Sequence, residues 1–152
     1  MAKVMKVTDI DEIEGIIKKA IHCRIGLVDN DEPYVVPVCF GYDRNALYFH
    51  GALEGRKVEL IKRNNKICFE MDTDVEIVER SEKPCDWTVN YRSVIGVGKA
   101  HILENDKEKS HALCVIMKQY TEGDFSFPKP MLDSTLVVRV DIERITGKQS
   151  GY

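Results

Sequence analysis

Apolar residues recur every three or four positions in three stretches of the chain, which predicts amphipathic helices. The predicted helices cover residues 8–21, 53–64 and 105–120. Thr8 or Asp9 can cap the first helix, because a short polar side chain accepts hydrogen bonds from the free N–H groups of a helix start. Asn105 and Glu108 form a capping-box pattern at the start of the third helix.

Between the helices the pattern changes to short β-rich runs, which predict strands. The expected strands cover residues 23–28, 34–42, 46–50, 66–72, 74–79, 87–103 and 135–145. The polar turn 43–45 joins two of these runs and indicates a β-hairpin. Because the strands follow one another rather than alternating with helices, we expect a mainly β, α+β fold: an antiparallel barrel with helices at its ends. No linker divides the chain, so one domain over residues 1–152 is expected.

Two features suggest where a ligand could lie. Pro37 is in the middle of the predicted strand 34–42, and proline has no N–H to donate to a sheet, so this strand needs a free edge or a bulge. A flat ligand can lie on such an edge, although an ordinary edge strand explains the proline equally well. The segment 121–134 has no regular period and is expected to cover a ligand or a partner subunit.

Composition narrows the class of protein. Of the 152 residues 43% are hydrophobic, which is enough to build a core and excludes general disorder. The 22 Lys and Arg residues are outnumbered by 25 Asp and Glu, so no basic excess favours nucleic-acid binding. Apolar runs are too short to span a bilayer, and the first residues lack the apolar core of a secretory signal. We therefore expect a cytoplasmic protein without a membrane or nucleic-acid partner.

The cysteines and histidines indicate neither a disulfide scaffold nor a metal site. The five cysteines include no C-x-x-C pair, and no histidine has a second ligand at metal-binding spacing. Four cysteines lie in apolar runs and are expected to pack as small hydrophobic residues: Cys23, Cys39, Cys68 and Cys114.

The stretch LYFHGALEGRK, residues 47–57, is a candidate phosphate site. A strand is expected to end at His50 and a helix to begin within a few residues, with Gly55, Arg56 and Lys57 at its start. Free amides at a helix N-terminus and two cations suit a phosphate group. Val58 stands where a Walker loop would have Ser or Thr, so an NTPase is not expected. A solvated helix start remains the alternative.

Three segments in order carry a family resemblance: PYVVPVCFGYD (33–43), LYFHGALEGRK (47–57) and CDWTVNYRSVIGVGKA (85–100). Together they resemble the FMN-binding split-barrel superfamily, which includes the pyridoxamine phosphate oxidases, and most of all its nitroimidazole-resistance-like branch. The similarity runs from about residue 8 to residue 148. It implies a six-stranded antiparallel split β-barrel with peripheral helices. It also implies a homodimer with one FMN in each of two sites at the subunit interface.

The resemblance also implies which residues hold FMN. The backbone of one strand would lie against the isoalloxazine ring: Val35, Val36, Pro37, Val38 and Cys39. Phe49 and His50 would reach the flavin, and Gly55, Arg56 and Lys57 would hold its phosphate, while Arg92 and Ser93 would touch the flavin of the other subunit. His50 is the catalytic candidate, because a histidine beside a flavin can orient substrate or donate a proton. A hydrogen-bonded surface histidine is the alternative.

These expectations lead to three functional hypotheses. The first is an FMN-dependent oxidoreductase acting on a small acceptor, with nitroaromatics as candidates. The second is a flavin or haem carrier or sensor without turnover, and the third is a structural dimer without a bound phosphate group. The ending ITGKQSGY does not reproduce the pattern with which the oxidase branch holds pyridoxamine phosphate, so that substrate is not expected.

Overall fold

The computed structural model describes residues 3–152; residues 1 and 2, which the predicted domain includes, lie outside it. The strands are β1 (Val4–Val7), β2 (Cys23–Asp29), β3 (Glu32–Val38), β4 (Phe40–Asp43), β5 (Ala46–Gly51), β6 (Lys66–Val78), β7 (Thr88–Ile102) and β8 (Leu136–Ser150). The helices are α1 (Ile10–Lys19), α2 (Arg56–Arg63), α3 (Asp106–Tyr120) and α4 (Lys129–Ser134), with a 3₁₀ turn at Pro84–Asp86.

The strands form one antiparallel sheet in the order β3-β2-β6-β7-β8-β5-β4, and β1 pairs with the end of β8. β3 and β4 lie at opposite edges of this sheet although Cys39 alone separates them in the chain. The sheet must therefore curl until its two edges are close, without closing. The mainly β, α+β prediction is confirmed as an open, split-barrel-like sheet. Within residues 3–152 this sheet has eight strands, whereas the resemblance implies six.

The predicted helix caps are present. The Asp9 carboxylate accepts from the N–H groups of Asp11 and Glu12 at 3.0 and 3.1 Å. The Asn105 side chain accepts from the N–H groups of Lys107 and Glu108 at 2.9 and 3.1 Å. These bonds satisfy donors that a helix start otherwise leaves free, which explains why the local sequence locates α1 and α3 to within about two residues.

Several strand predictions are wrong in detail. The run 34–42 divides at Cys39, so β3 pairs with β2, and β4 forms the expected hairpin with β5. The runs 66–72 and 74–79 are one strand with a bulge, where Asp74 has a φ of 53°. The segment 121–134 contains α4, and β8 continues five residues beyond the predicted end at 145. The three strand differences depend on strand pairing across the fold, which a local pattern does not encode.

The core lies between the curled sheet and the helices. Phe40, Phe49 and Phe69 are fully buried in the main apolar cluster, and a second cluster lies under α3. The prediction that four cysteines pack inside is wrong for Cys39 and Cys68, which are exposed. Cys23 is buried, and burial raises the pKa of its thiol to about 12. Within residues 3–152 no helix is long and apolar enough to cross a membrane.

Candidate functional site

The connection between β5 and α2 has the geometry of a candidate anion site. Gly55 is the N-cap of α2 with a φ of 124°, a conformation that favours glycine, and no side chain caps the helix there. Nothing lies within 4 Å of the position a Cβ on Gly55 would take. The amides of the first turn, residues 56–58, have no carbonyl partner inside the helix. We call this N-terminus, with the side chains of Arg56 and Lys57, the anion site.

Arg56 is already bound to carboxylates. Its Nε and Nη2 atoms donate to Asp29 Oδ2 at 3.2 Å, and Nη2 also lies 3.4 Å from Glu32 Oε1. The guanidinium lies over the ring of Tyr34, 4.4 Å from its centroid. Arg63, two turns further along the same face of α2, donates to Asp29 Oδ1 at 3.1 Å. Arg56 therefore connects α2 to the hairpin formed by β2 and β3, and much of its charge is compensated.

Lys57 differs from Arg56 in having no compensating carboxylate. Its side chain is half-buried, and among the described residues no ion pair includes it. The ammonium lies 5.6 Å from the centroid of the Phe49 ring and 3.0 Å from the position of a Cβ on Gly51. Burial lowers the pKa of Lys57, because the charged form loses hydration and no carboxylate in the described part of the chain compensates for it. A bound anion would supply the missing charge.

His50 lies beside this cation at the end of β5. It pairs with Val137 of β8, and its side chain remains accessible to solvent. Partial burial lowers the pKa of His50 below its usual 6.5, and the positive charge of Lys57 lowers it further. The neutral imidazole is therefore favoured while Lys57 is uncompensated. An anion bound at Lys57 would remove this second cause and raise the pKa of His50.

The edge strand β3 meets the anion site through Arg56. β3 pairs with β2 on one side only, so the free edge expected from Pro37 is confirmed. Val35 and Cys39 are exposed, whereas Val38 is buried. The contacts of Arg56 with Glu32 and Tyr34 bring the start of α2 against this strand. The structure thus places one edge strand, one strand end and one helix N-terminus together.

Phe49, Arg92 and Ser93, the other residues predicted to contact FMN, differ from these in burial and in position. Phe49 is fully buried, and its strand is paired with β4 on one side and β8 on the other, so within this chain it is not exposed to a ligand. Arg92 and Ser93 lie on β7, where Arg92 Nη1 is 2.6 Å from Asp74 Oδ2. A cavity of about 380 Å³ adjoins Arg92 and is lined by residues of β1, α1, β6, β7 and β8. Within one chain, Arg92 and the anion site are therefore separate.

Sequence reasoning missed the carboxylates that hold Arg56. Asp29 and Glu32 stand in a polar turn, where acidic residues are ordinary, and their contact with Arg56 spans more than twenty residues. No local signal identifies such a pair. Nor does any group of three or more His, Cys, Asp and Glu side chains in the described chain lie close enough to hold a metal ion.

The chain is similar to known proteins in both sequence and fold. The family model described as pyridoxamine 5'-phosphate oxidase matches residues 9–149. An uncharacterized protein of Rhizobium meliloti strain 1021 is 24% identical over 67 residues. These residues are 44% of each of the two proteins, so the match spans less than half of that relative.

Solved structures extend the comparison to the whole chain. A proposed 5-nitroimidazole antibiotic resistance protein from Bacteroides thetaiotaomicron has 34% identity and a TM-score of 0.87, over 99% of this chain and 89% of that one. The FAD and heme binding protein from Mycobacterium smegmatis has 18% identity and a TM-score of 0.84, over 97% and 74%. A FAD-binding protein from Mesorhizobium loti has 20% identity and a TM-score of 0.69, over 96% and 97%. The last two show a shared fold.

Proposed function

Since this chain belongs to the pyridoxamine 5'-phosphate oxidase family, we propose that it binds FMN and transfers electrons to a small acceptor. The observation that carries this proposal is the uncompensated ammonium of Lys57 beside the uncapped N-terminus of α2. A phosphate monoester would accept hydrogen bonds from the free amides and supply the charge that Lys57 lacks. The site therefore fits the terminal phosphate of FMN.

The remaining predicted residues have distinct roles in this proposal. The free edge of β3 from Val35 onwards, with Cys39 after it, would lie along the flavin ring. The buried ring of Phe49 lies next to Lys57 and would support the phosphate side of the site. FMN, when bound, supplies the redox chemistry. The accessible imidazole of His50 would orient the acceptor and donate a proton to it. The 34% identical Bacteroides protein supports a nitroaromatic as the acceptor to test first.

An FMN titration of the purified protein tests the proposal. We expect FMN to bind at least tenfold more tightly than riboflavin, which has the same ring but no phosphate, because the anion site contributes only to FMN. Absorbance in the visible range follows binding, and NADH or NADPH oxidation with nitroaromatic acceptors tests turnover. A Soret band in the purified protein would instead favour the haem alternative. Bound FMN without turnover would favour a carrier or sensor.

We further propose that the protein is a cytoplasmic, single-domain homodimer with FMN at the subunit interface. The ribbon formed by β6 and β7 exposes large apolar side chains on one face: Val75, Ile77, Trp87 and Val89. Ile77 and Val89 are cross-strand partners, so these side chains form a continuous patch. Apolar patches of this kind mark interaction surfaces, and a second copy would also cover the free edge of β3. Arg92 on β7 would reach the partner's flavin, whereas Ser93 is buried within the protomer.

Ile77→Lys is expected to shift the protein from dimer to monomer, because the charge would be desolvated in the interface. Ile21→Lys is the matched control, since Ile21 is 72% exposed and Ile77 71% exposed, but Ile21 lies outside the ribbon. Light scattering at micromolar concentration gives the mass of each variant. A monomeric parent protein that retains FMN, or equal masses for all three proteins, would contradict the dimer proposal.

A further inference from the structure

Asp74 joins three elements of the fold. It lies at the bulge in β6 with a φ of 53°. Its Oδ2 atom is 2.6 Å from Arg92 Nη1 on β7 and 3.3 Å from Lys19 Nζ at the end of α1. These charge-assisted bonds lower the pKa of Asp74, and Arg92 makes the largest contribution. The carboxylate therefore fixes one side of the Arg92 guanidinium.

Tyr152 fixes a second side of the same guanidinium. The Cζ atom of Arg92 lies 3.9 Å from the centroid of the Tyr152 ring, which is a close cation–π contact. The Tyr152 hydroxyl donates to the backbone oxygen of Asp74 at 2.6 Å. Tyr152 thus holds both Arg92 and the bulge that carries its carboxylate partner.

The backbone of Gly151 makes this contact possible. Gly151 has a φ of 81°, which turns the chain from the end of β8 back towards the ribbon. A Cβ at this position would lie 1.8 Å from Asn90 Oδ1, an atom that is buried without a hydrogen-bond partner among the described residues. No side chain fits there without displacing the Asn90 side chain. The turn at Gly151 therefore determines where the Tyr152 ring lies.

We propose that Tyr152 is a positioning residue, which holds the Arg92 guanidinium ready to contact the flavin of the partner protomer. This inference rests on the proposed function. An arginine side chain loses considerable rotamer freedom when it binds a ligand, and a side chain that is already ordered loses less. Stacking on Tyr152 and pairing with Asp74 supply this order in advance, while the adjacent cavity leaves the guanidinium accessible.

A double-mutant cycle tests this role by FMN titration of four proteins: the parent, Tyr152→Leu, Arg92→Ala and the double variant. Tyr152→Leu is expected to weaken FMN binding by about tenfold, because Arg92 is no longer held. In the Arg92→Ala background the same change should have no further effect. Tyr152→Phe keeps the stacked ring and should retain most of the affinity. Thermal unfolding without FMN checks that the variants fold.

The visible circular dichroism of bound FMN adds a readout that general loss of stability would not mimic. Tyr152→Leu and Arg92→Ala should alter this spectrum in the same way, because both remove the contact of the Arg92 guanidinium with the flavin ring. Additive losses of affinity, or an Arg92→Ala variant with unchanged affinity, would overturn the inference while leaving FMN binding intact. Absence of FMN binding in the parent protein would overturn the proposed function, and this inference with it.

Discussion

Replacing Lys57 by methionine is expected to weaken FMN binding by about 10- to 100-fold without destabilising the fold. A charge-assisted hydrogen bond contributes about 1.5–3 kcal/mol, and about 1.4 kcal/mol corresponds to a factor of ten in affinity. The half-buried ammonium of Lys57 has no compensating carboxylate in the described chain, so its replacement removes no ion pair from the apoprotein, only the contact with the Phe49 ring. Thermal unfolding of the apoprotein should therefore be unchanged or shifted upwards, since methionine has no charge to desolvate.

Arg56 is expected to respond differently. Arg56→Met should weaken FMN binding less than Lys57→Met, because Asp29 and Glu32 already compensate much of the Arg56 charge. It should lower the unfolding temperature, since the connection between α2 and the hairpin of β2 and β3 is lost. The combined replacement of both residues by alanine should have the largest effect on affinity.

Fluorescence titration with FMN and with riboflavin measures these effects, and Lys62→Met at the other end of α2 is the matched control. Riboflavin affinity should be the same in the parent and in Lys57→Met, because riboflavin has no phosphate. Unchanged FMN affinity in Lys57→Met would remove the phosphate assignment. Equal losses for FMN and riboflavin would mean that Lys57 contacts the flavin ring.

The arrangement at the start of α2 was predictable because its components are adjacent in sequence. A strand ending near His50, a glycine before the helix and two cations at its start are all local features; in the structure the strand ends one residue later, at Gly51. The distribution of charge was not predictable. That Arg56 is compensated and Lys57 is not depends on Asp29, which reaches α2 through the tertiary fold.

The strand errors have the same origin. Nothing in the run 34–42 indicates that Cys39 separates two strands at opposite edges of the sheet, because that break is required by the curling of the whole sheet. The β4–β5 hairpin was predictable, since the short polar turn 43–45 joins two β-rich runs, and in the structure Arg44 and Asn45 adopt the positive φ values of a tight hairpin turn. The hairpin was therefore found from its own residues, whereas the break at Cys39, which depends on distant strands, was not.

His50→Ala is expected to retain bound FMN and the dimer but to slow re-oxidation of the reduced flavin by a nitroaromatic acceptor by about 10²-fold, the contribution of one positioned acid. The accessible His50 side chain lies near the end of β5, and in the proposed complex Lys57 would hold the phosphate while His50 would face the acceptor. Reduction of the flavin by dithionite should be almost unaffected, because it needs no proton from His50. Stopped-flow absorbance at the flavin band follows both half-reactions, and His111→Ala on α3 is the control.

The pH dependence of re-oxidation separates a proton donor from a residue that only orients the acceptor. Burial and the charge of Lys57 lower the pKa of His50, so the imidazolium that donates a proton is scarce at neutral pH in the absence of an anion. The phosphate of FMN offsets the charge of Lys57, so the pKa of His50 should be higher in the holoprotein than in the apoprotein. The re-oxidation rate should increase as pH falls through this holoprotein pKa, and His50→Ala should lose that dependence. Equal rates in the variant and the parent across this range would exclude His50 from the reaction, and loss of FMN from His50→Ala would make it a cofactor-binding residue instead.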